Sequence, residues 1–216
     1  MTTALPSKTA TTVSLTQIRA FIQGRKSDHR LLQILKAHFD AVPAAAMLRH
    51  RVPLNAWRDD QVDGAAFHAD LIRAVDRRIP AAKASRHLRP ALRILDRFGF
   101  EPLPEIDVDD LLIESASLGI RGKLDLMGHL RGRPAVVEIK TMHRIPDTFA
   151  HLEHAVQASL LFALAWDRAP KKDTDRVAVL YVESTAPHRA FLLEVQRPHK
   201  FINVGSQIAA HLLGRV

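Results

Sequence analysis

Residues 134–141 read PAVVEIKT, a short and mostly apolar run that predicts a buried β-strand. Side chains on a strand alternate between its two faces, so Val136, Glu138 and Lys140 share one face. Burying a charged group is costly unless it is paired or bound to a metal ion. The acid and the base on this face therefore indicate either a partly exposed ion pair near a strand end or a functional site.

The overall composition predicts a globular protein and excludes several kinds of site. The 216 residues are 47% hydrophobic and 25% charged, which is typical of folded domains and not of disordered chains. The chain has no cysteine, so disulfides, zinc–thiolate sites and cysteine-bound iron–sulfur clusters are excluded. This composition is consistent with a cytoplasmic location. No apolar run is long enough to span a membrane, so we expect no membrane partner.

The chain is strongly basic, with a formal net charge of +8. A positive surplus favours polyanionic partners such as nucleic acid. Three basic clusters are candidate phosphate contacts in a nucleic-acid-binding protein, although such clusters are usually solvated faces. They are RAVDRR at 73–78, RHLRPALR at 86–93 and the lysine pair at 171–172.

The N-terminal part of the chain predicts helices. We interpret residues 1–13 as a flexible leader, and residues 14–100 as a helical region. Residues that favour helix N-termini precede several apolar runs of helical period, at Ser14, Asp28, Pro43 and Asp63. A further helix is expected from about residue 84 to 98, closed by Gly99. Pro90 inside this stretch predicts a late start or a kink.

The sequence pattern changes after residue 100, and residues 101–216 predict an α/β unit. Three strand-like runs come first: LLIESASLGI (111–120), GKLDLMGHL (122–130) and PAVVEIKT. RGRP at 131–134 predicts a hairpin turn between the last two. An amphipathic helix from Asp147 to about Trp166, strands at 176–184 and 189–196, and a helix from about Pro198 to residue 213 follow. We therefore expect one domain over residues 14–216, with a mixed central sheet flanked by helices.

The strand before PAVVEIKT carries a second acid. Arg121, Lys123 and Asp125 share one of its faces, and a hairpin could set Asp125 beside Glu138. Two carboxylates form a hard, oxygen-rich site of the kind that Mg²⁺ occupies together with waters and phosphate oxygens. Lys140 could orient or help deprotonate a metal-bound water, or stabilise charge that develops on a phosphate.

Five motif elements follow one another between about residues 60 and 165. GAAFH at 64–68 has the form G-x-x-x-H, Glu114 is followed by GKLD at 122–125 with the form G-x-x-D, and EIKT at 138–141 has the form D/E-x-K-T. QASLL at 157–161 begins like Q-x-x-x-Y. This ordered set resembles the PD-(D/E)xK nuclease superfamily, and most closely its RecB-type branch, which includes mitochondrial genome-maintenance exonucleases and many phage exonucleases.

The resemblance implies a restriction-endonuclease-like core and a metal-dependent DNA nuclease. Asp125 and Glu138 would hold Mg²⁺, with Mn²⁺ as a substitute, and the carbonyl of Ile139 would add a ligand. Lys140 would be the catalytic lysine. The activity implied is an exonuclease on single strands or DNA ends, in recombination, repair or phage DNA processing. Because the chain has no P-loop motif, a recombination or helicase partner would supply any motor.

Three further residues take roles from the resemblance, and each has an ordinary structural alternative. His68 would approach the metal, Glu114 would support a second ion directly or through water, and Gln157 would hold the site or the DNA strand near it. Without the family pattern, they are typical of a helix histidine, a solvent-facing strand residue and an ordinary polar residue. His151 and His154 could suggest zinc, but we interpret them as surface residues lining a basic cleft. Trp57 and Trp166 are interpreted as core residues.

Two positions depart from the family pattern. Leu124 stands where the superfamily name places proline, and Leu161 replaces the tyrosine of Q-x-x-x-Y. The loss of that hydroxyl concerns strand handling more than metal chemistry. The missing tyrosine and the net charge also fit a second hypothesis, a non-catalytic nucleic-acid-binding or assembly protein that retains the nuclease fold. The intact Asp, Glu and Lys set favours the enzyme.

Overall fold

A computed structural model describes most of the chain. It covers residues 12–24, 29–38, 63–103, 112–143, 150–171, 174–185 and 187–215. The helices in these ranges are α1 (Leu15–Gly24), α2 (His29–His38), α3 (Gly64–Asp76), α4 (Arg89–Arg97), α5 (Leu152–Ala165) and α6 (Pro198–Leu212). The strands are β1 (Val13–Ser14), β2 (Phe100–Pro102), β3 (Leu112–Ser115), β4 (Ile120–Lys123), β5 (Leu126–Leu130), β6 (Arg133–Met142), β7 (Arg176–Glu183) and β8 (Ala190–Glu194).

The strands form two sheets. The larger sheet has the order β2-β5-β6-β7-β8, with β6 and β7 parallel and the other pairs antiparallel. The smaller sheet has the order β1-β4-β3, in which β1 is parallel to β4. The predicted α/β class, with a mixed sheet flanked by helices and helices near the N-terminus, is confirmed. The division into two sheets was not predicted.

The hairpin between β5 and β6 has the turn that RGRP predicts. Arg131 and Gly132 form a two-residue loop and both have positive φ, 54° and 70°. Two successive positive φ angles define the tight hairpin turn whose twist matches that of the flanking strands. This turn fixes the register, so Leu126 lies opposite Val137 at the far end of the pair.

The predicted strand GKLDLMGHL is interrupted at Leu124 and Asp125, and this prediction is corrected. Residues before the break pair within the smaller sheet as β4, and residues after it pair within the larger sheet as β5. At the break, Asp125 Oδ2 accepts a hydrogen bond from the backbone N–H of Ile139 at 2.8 Å. A side chain therefore makes the contact to β6 at this point, and the chain passes from one sheet to the other.

Apolar layers cover both faces of the larger sheet. On one face, α3 and α4 pack with Ala135, Val137 and Ile139 of β6. On the other face, α1, α5 and α6 pack with Val136 of β6 and with alternate residues of β7. The alternation read from PAVVEIKT is thus confirmed, and Glu138 lies on the face that β6 presents to α5.

Two helix starts agree with their predicted caps. Ser14 Oγ accepts from the amide of Gln17, and Gln17 Oε1 accepts from the amide of Ser14, which closes the first turn of α1. Asp63 accepts from the amide of Ala65 at 2.8 Å at the start of α3. α4 begins at Arg89, which is the late start that Pro90 favours. The features predicted at residues 1–11, Asp28, Pro43, Trp57, Asp147 and Lys172 lie outside the described residues.

α5 differs from its prediction in its start and its surroundings. It begins at Leu152, after the extended residue His151, so it does not run continuously from Asp147. Eleven of its 14 residues are buried, so the predicted amphipathic helix is in fact enclosed on all sides. α1, α6 and strands of both sheets cover it, because it lies where the two sheets meet.

The last residue of the predicted leader belongs to the folded part of the chain. Val13, placed in the predicted leader, is buried and forms part of β1.

Among the described helices, none combines the length and the apolar composition needed to cross a membrane.

Candidate active site

One cavity of about 330 Å³ brings together most of the predicted site residues. It lies where β4 of the smaller sheet meets β6 of the larger one. Of the predicted site side chains, five line it: His68, Asp125, Glu138, Lys140 and Gln157. The first turn of α1 and exposed residues of β3 and β4 form the rest of the wall.

The β5–β6 hairpin places the two carboxylates side by side. The register of the hairpin ends at the Leu126–Val137 pair, so Asp125 and Glu138 each lie one residue beyond it, and their carboxyl groups interact. The amide of Ile139 fixes the Asp125 carboxylate, as described above. Lys140 Nζ contacts Glu138 Oε1 on the same strand face. The acid pair and the lysine therefore lie in one cluster.

Glu138 is the most strongly perturbed acid in this cluster. Its side chain is only 2% exposed, and burial raises its pKa to about 8. The neighbouring charge of Asp125 contributes to this rise, whereas Lys140 opposes it without reversing the shift. Glu138 Oε2 is buried and has no hydrogen-bond partner. Without a cation, the surroundings therefore do not compensate an ionised Glu138 beside Asp125, and the folded chain favours the neutral form of Glu138.

His68 reaches this cluster from α3. Its Nδ1 lies 3.7 Å from Asp125 Oδ1. The approach depends on Gly64, at the start of α3, because a Cβ on residue 64 would lie 2.6 Å from Oγ1 of Thr141. Glycine therefore lets the first turn of α3 lie against the end of β6, and His68 follows one helical turn later. This contact gives a physical reason for the glycine of G-x-x-x-H.

Gln157 enters the cavity from α5 on the opposite side. Its Oε1 is buried and has no hydrogen-bond partner among the described residues. Buried amide oxygens are usually hydrogen-bonded, so this oxygen is available to a water or a ligand in the cavity. Leu161, one turn further along, is fully buried in the core that includes α5. It takes no part in lining the cavity.

Two predicted site residues lie apart from the lining side chains. Glu114 is exposed on β3, opposite Arg121, and shares a strand face with Leu112. Ile139 is buried on the other face of β6, and its amide binds Asp125. The roles expected for Glu114 and for the Ile139 carbonyl stay predictions. Within the described ranges, no group of three or more His, Cys, Asp and Glu side chains is arranged to hold a metal ion.

The structure adds wall residues that the sequence reading did not assign to the site. They are Ser14, Leu15, Thr16, Leu112, Arg121, Gly122 and Lys123. The signal for two of them was available, because Arg121 and Lys123 share a strand face with Asp125 in the sequence pattern. The position of α1 could not be predicted from the sequence, since it depends on the parallel pairing of β1 with β4.

The two histidines at the start of α5 are buried, so their predicted surface location is wrong. His151 and His154 stack with ring centroids 5.4 Å apart. The Tyr181 hydroxyl accepts from the amide of His151 and lies 3.0 Å from His154 Nδ1. Burial, reinforced by the charge of Lys140, lowers the pKa of His154 to about 3, so this ring is neutral. Tyr181 lies opposite Lys140 in the pairing of β6 with β7, so the two histidines and Tyr181 form a buried cluster next to the site.

Comparisons with known proteins give little further information. No protein-family model matches the sequence, and no curated protein matches it. A solved structure described as "Crystal structure of SSO0001" has a TM-score of 0.36 and 14% sequence identity, and the match covers 95% of this chain and 78% of that chain. A TM-score this low carries no argument about fold or function.

Proposed function

We propose that the protein is a divalent-metal-dependent DNA nuclease, acting as an exonuclease on single strands or DNA ends in the cytoplasm. The observation that carries this proposal is the convergence of Asp125, Glu138 and Lys140 on one cavity. The order of the same residues in the sequence resembles the RecB-type nucleases. The net charge of +8 favours a polyanionic substrate.

The carboxylate pair fits a magnesium ion. Glu138 has a buried oxygen without a partner and a raised pKa, and a cation held by Glu138 and Asp125 would relieve both features. Mg²⁺ needs only one or two carboxylates because it keeps several waters and binds phosphate oxygens of its substrate. When bound, it would supply a water of lowered pKa and would stabilise charge on the phosphate.

The protein's own side chains would divide the remaining work. Lys140 contacts Glu138 and faces the cavity, so its ammonium can stabilise negative charge on a phosphate and orient a water for in-line attack. His68 lies close enough to Asp125 to orient that carboxylate. Gln157 offers an amide from the opposite wall, to a water or to the DNA strand.

A non-catalytic nucleic-acid-binding or assembly protein remains the second candidate. The net charge of +8 and Leu161 in place of tyrosine favour it. Against it, Asp125, Glu138 and Lys140 are all present and adjacent. The two candidates differ in one measurable property, which is metal-dependent cleavage.

The test is incubation of end-labelled single-stranded and duplex DNA with the protein and Mg²⁺ or Mn²⁺. Asp125→Ala and Lys140→Ala should each reduce cleavage by at least about 10²-fold. Cleavage that persists in both variants would come from a contaminant and would reject the proposal. DNA binding without cleavage by the unmodified protein would favour the second candidate.

A further inference from the structure

The face of the smaller sheet beside the carboxylates carries three side chains that the proposed chemistry does not use. Leu112 of β3 lies opposite Lys123 of β4, and Arg121 follows two residues away on the same face. All three line the cavity that contains Asp125 and Glu138. We call this surface, formed by Leu112, Arg121 and Lys123, the β3–β4 platform.

The platform is apolar at one point and positive beside it. Leu112 is 63% exposed, the largest exposure among the large hydrophobic side chains of the described residues. Arg121 and Lys123 are exposed on the neighbouring strand, and the exposed Glu114 opposite Arg121 leaves this face with a net positive charge. The N-terminus of α1 lines the same wall and adds a partial positive charge, since Ser14 pairs with Arg121. A ligand that covers this surface must offer both negative charge and an apolar face.

An unpaired nucleotide offers this combination, whereas a duplex does not. In a duplex, the faces of the bases are stacked inside and the outer surface presents mainly phosphates and sugars. In a single strand, the base faces are exposed and can pack on protein side chains while cationic groups follow the backbone. Covering an exposed leucine with such a face removes apolar surface from water and is favourable in proportion to the area.

We propose that the β3–β4 platform binds an unpaired DNA strand next to the scissile phosphate, with Leu112 against a base and with Arg121 and Lys123 on the neighbouring phosphates. The platform thereby selects single-stranded over duplex substrate. The identity of the polyanion rests on the proposed nuclease function, because the carboxylate cluster supplies the reason to expect a phosphodiester.

The test measures binding separately from cleavage. Fluorescence anisotropy with labelled single-stranded and duplex DNA, in Ca²⁺ in place of Mg²⁺, gives the two affinities of each variant. Leu112→Ala should weaken single-strand binding by about three- to tenfold and leave duplex binding unchanged. Arg121→Gln should reduce the slope of log K against log salt by about 0.7 on single strands, because one phosphate contact is lost.

Matched controls make the same chemical changes elsewhere. Leu212 is an exposed leucine on α6, and Arg133 is an exposed arginine at the far end of β6 from the cavity. Leu212→Ala and Arg133→Gln should leave the single-strand to duplex ratio and the salt slope unchanged. Thermal unfolding of each variant checks that it is folded, which we expect because Leu112 is a surface residue.

The outcomes separate the platform from the nuclease proposal. Unchanged single-strand affinity in Leu112→Ala, or equal losses on both kinds of DNA, overturns the platform even if Mg²⁺-dependent cleavage is present. A protein that binds neither DNA also overturns it. A selective loss in Leu112→Ala, in a protein that never cleaves DNA with Mg²⁺, supports the platform and overturns the nuclease proposal.

Discussion

Replacing Glu138 with glutamine should make the fold more stable at alkaline pH while abolishing the proposed activity. Burial raises the pKa of Glu138 from 4.5 to about 8, so the folded chain favours the neutral carboxyl. The stability associated with this group is fully present below about pH 4.5 and is lost as the pH rises through about 8. Glutamine keeps the shape of the neutral acid and does not ionise.

The magnitude follows from the size of the shift. Each pKa unit corresponds to about 1.4 kcal/mol. Above pH 8 and without metal, ionisation of Glu138 therefore lowers the free energy of unfolding by on the order of a few kcal/mol. A change of 1 kcal/mol moves Tm by about 2–4 °C in a domain of this length. Glu138→Gln should therefore melt several degrees higher than the unmodified protein at pH 8.5. The difference should shrink towards pH 5.

The assay is thermal unfolding of both proteins in EDTA across this pH range, repeated with Mg²⁺. Mg²⁺ at about 100 times its Kd should stabilise the unmodified protein by about 2.7 kcal/mol and leave Glu138→Gln unchanged. Glu101→Gln makes the same substitution on an exposed side chain of β2 and should stay within about 0.5 kcal/mol of the unmodified protein. A Glu138→Gln protein that is less stable at pH 8.5, or a difference that does not vary with pH, would refute the reasoning.

Three other substitutions probe the surroundings of the site. Gly64→Ala should lower the free energy of unfolding by about 1–3 kcal/mol and lower cleavage, because the new Cβ meets Thr141 Oγ1. Adding Thr141→Ala to the same chain should restore both properties. Thr141→Ala alone is the control. Tyr181→Phe removes the acceptor of the His151 amide hydrogen bond and should lower the free energy of unfolding by about 1–3 kcal/mol in urea, with no change expected in the m-value. Gln157→Leu should lower cleavage about tenfold or more without loss of stability, and a clear drop in Tm would instead make Gln157 a structural residue.

Local rules explain the parts of the fold that the sequence predicted well. The alternation in PAVVEIKT assigned the faces of β6 correctly, because strand side chains alternate whatever the surroundings. The hairpin at residues 131–132 and the caps at Ser14 and Asp63 depend on residues within three positions of one another. The hairpin register also brings Asp125 near Glu138, although Asp125 lies just beyond the end of β5 and not within a continuous strand.

Contacts between distant segments explain what the sequence did not predict. The sequence around His151 and His154 is polar and predicts a surface position. Both residues are instead buried against Tyr181, 30 residues beyond His151, whose hydroxyl contacts the His151 amide and His154 Nδ1. The helix that carries them is covered by elements from both ends of the chain, so its burial was not visible in its own pattern. The exposure of Leu112 was not visible in the run LLIESASLGI, because it depends on how the smaller sheet meets the cavity.

The chain changes sheets at Asp125, and this has a mechanical consequence. Asp125 follows β4 of the smaller sheet, and its carboxylate accepts a hydrogen bond from the amide of Ile139 in the larger sheet. In the proposed nuclease, a DNA strand bound at Arg121 would lie four positions along the chain from the carboxylate proposed to bind the ion. Seating of the substrate and alignment of the acid pair would then occur as a single movement.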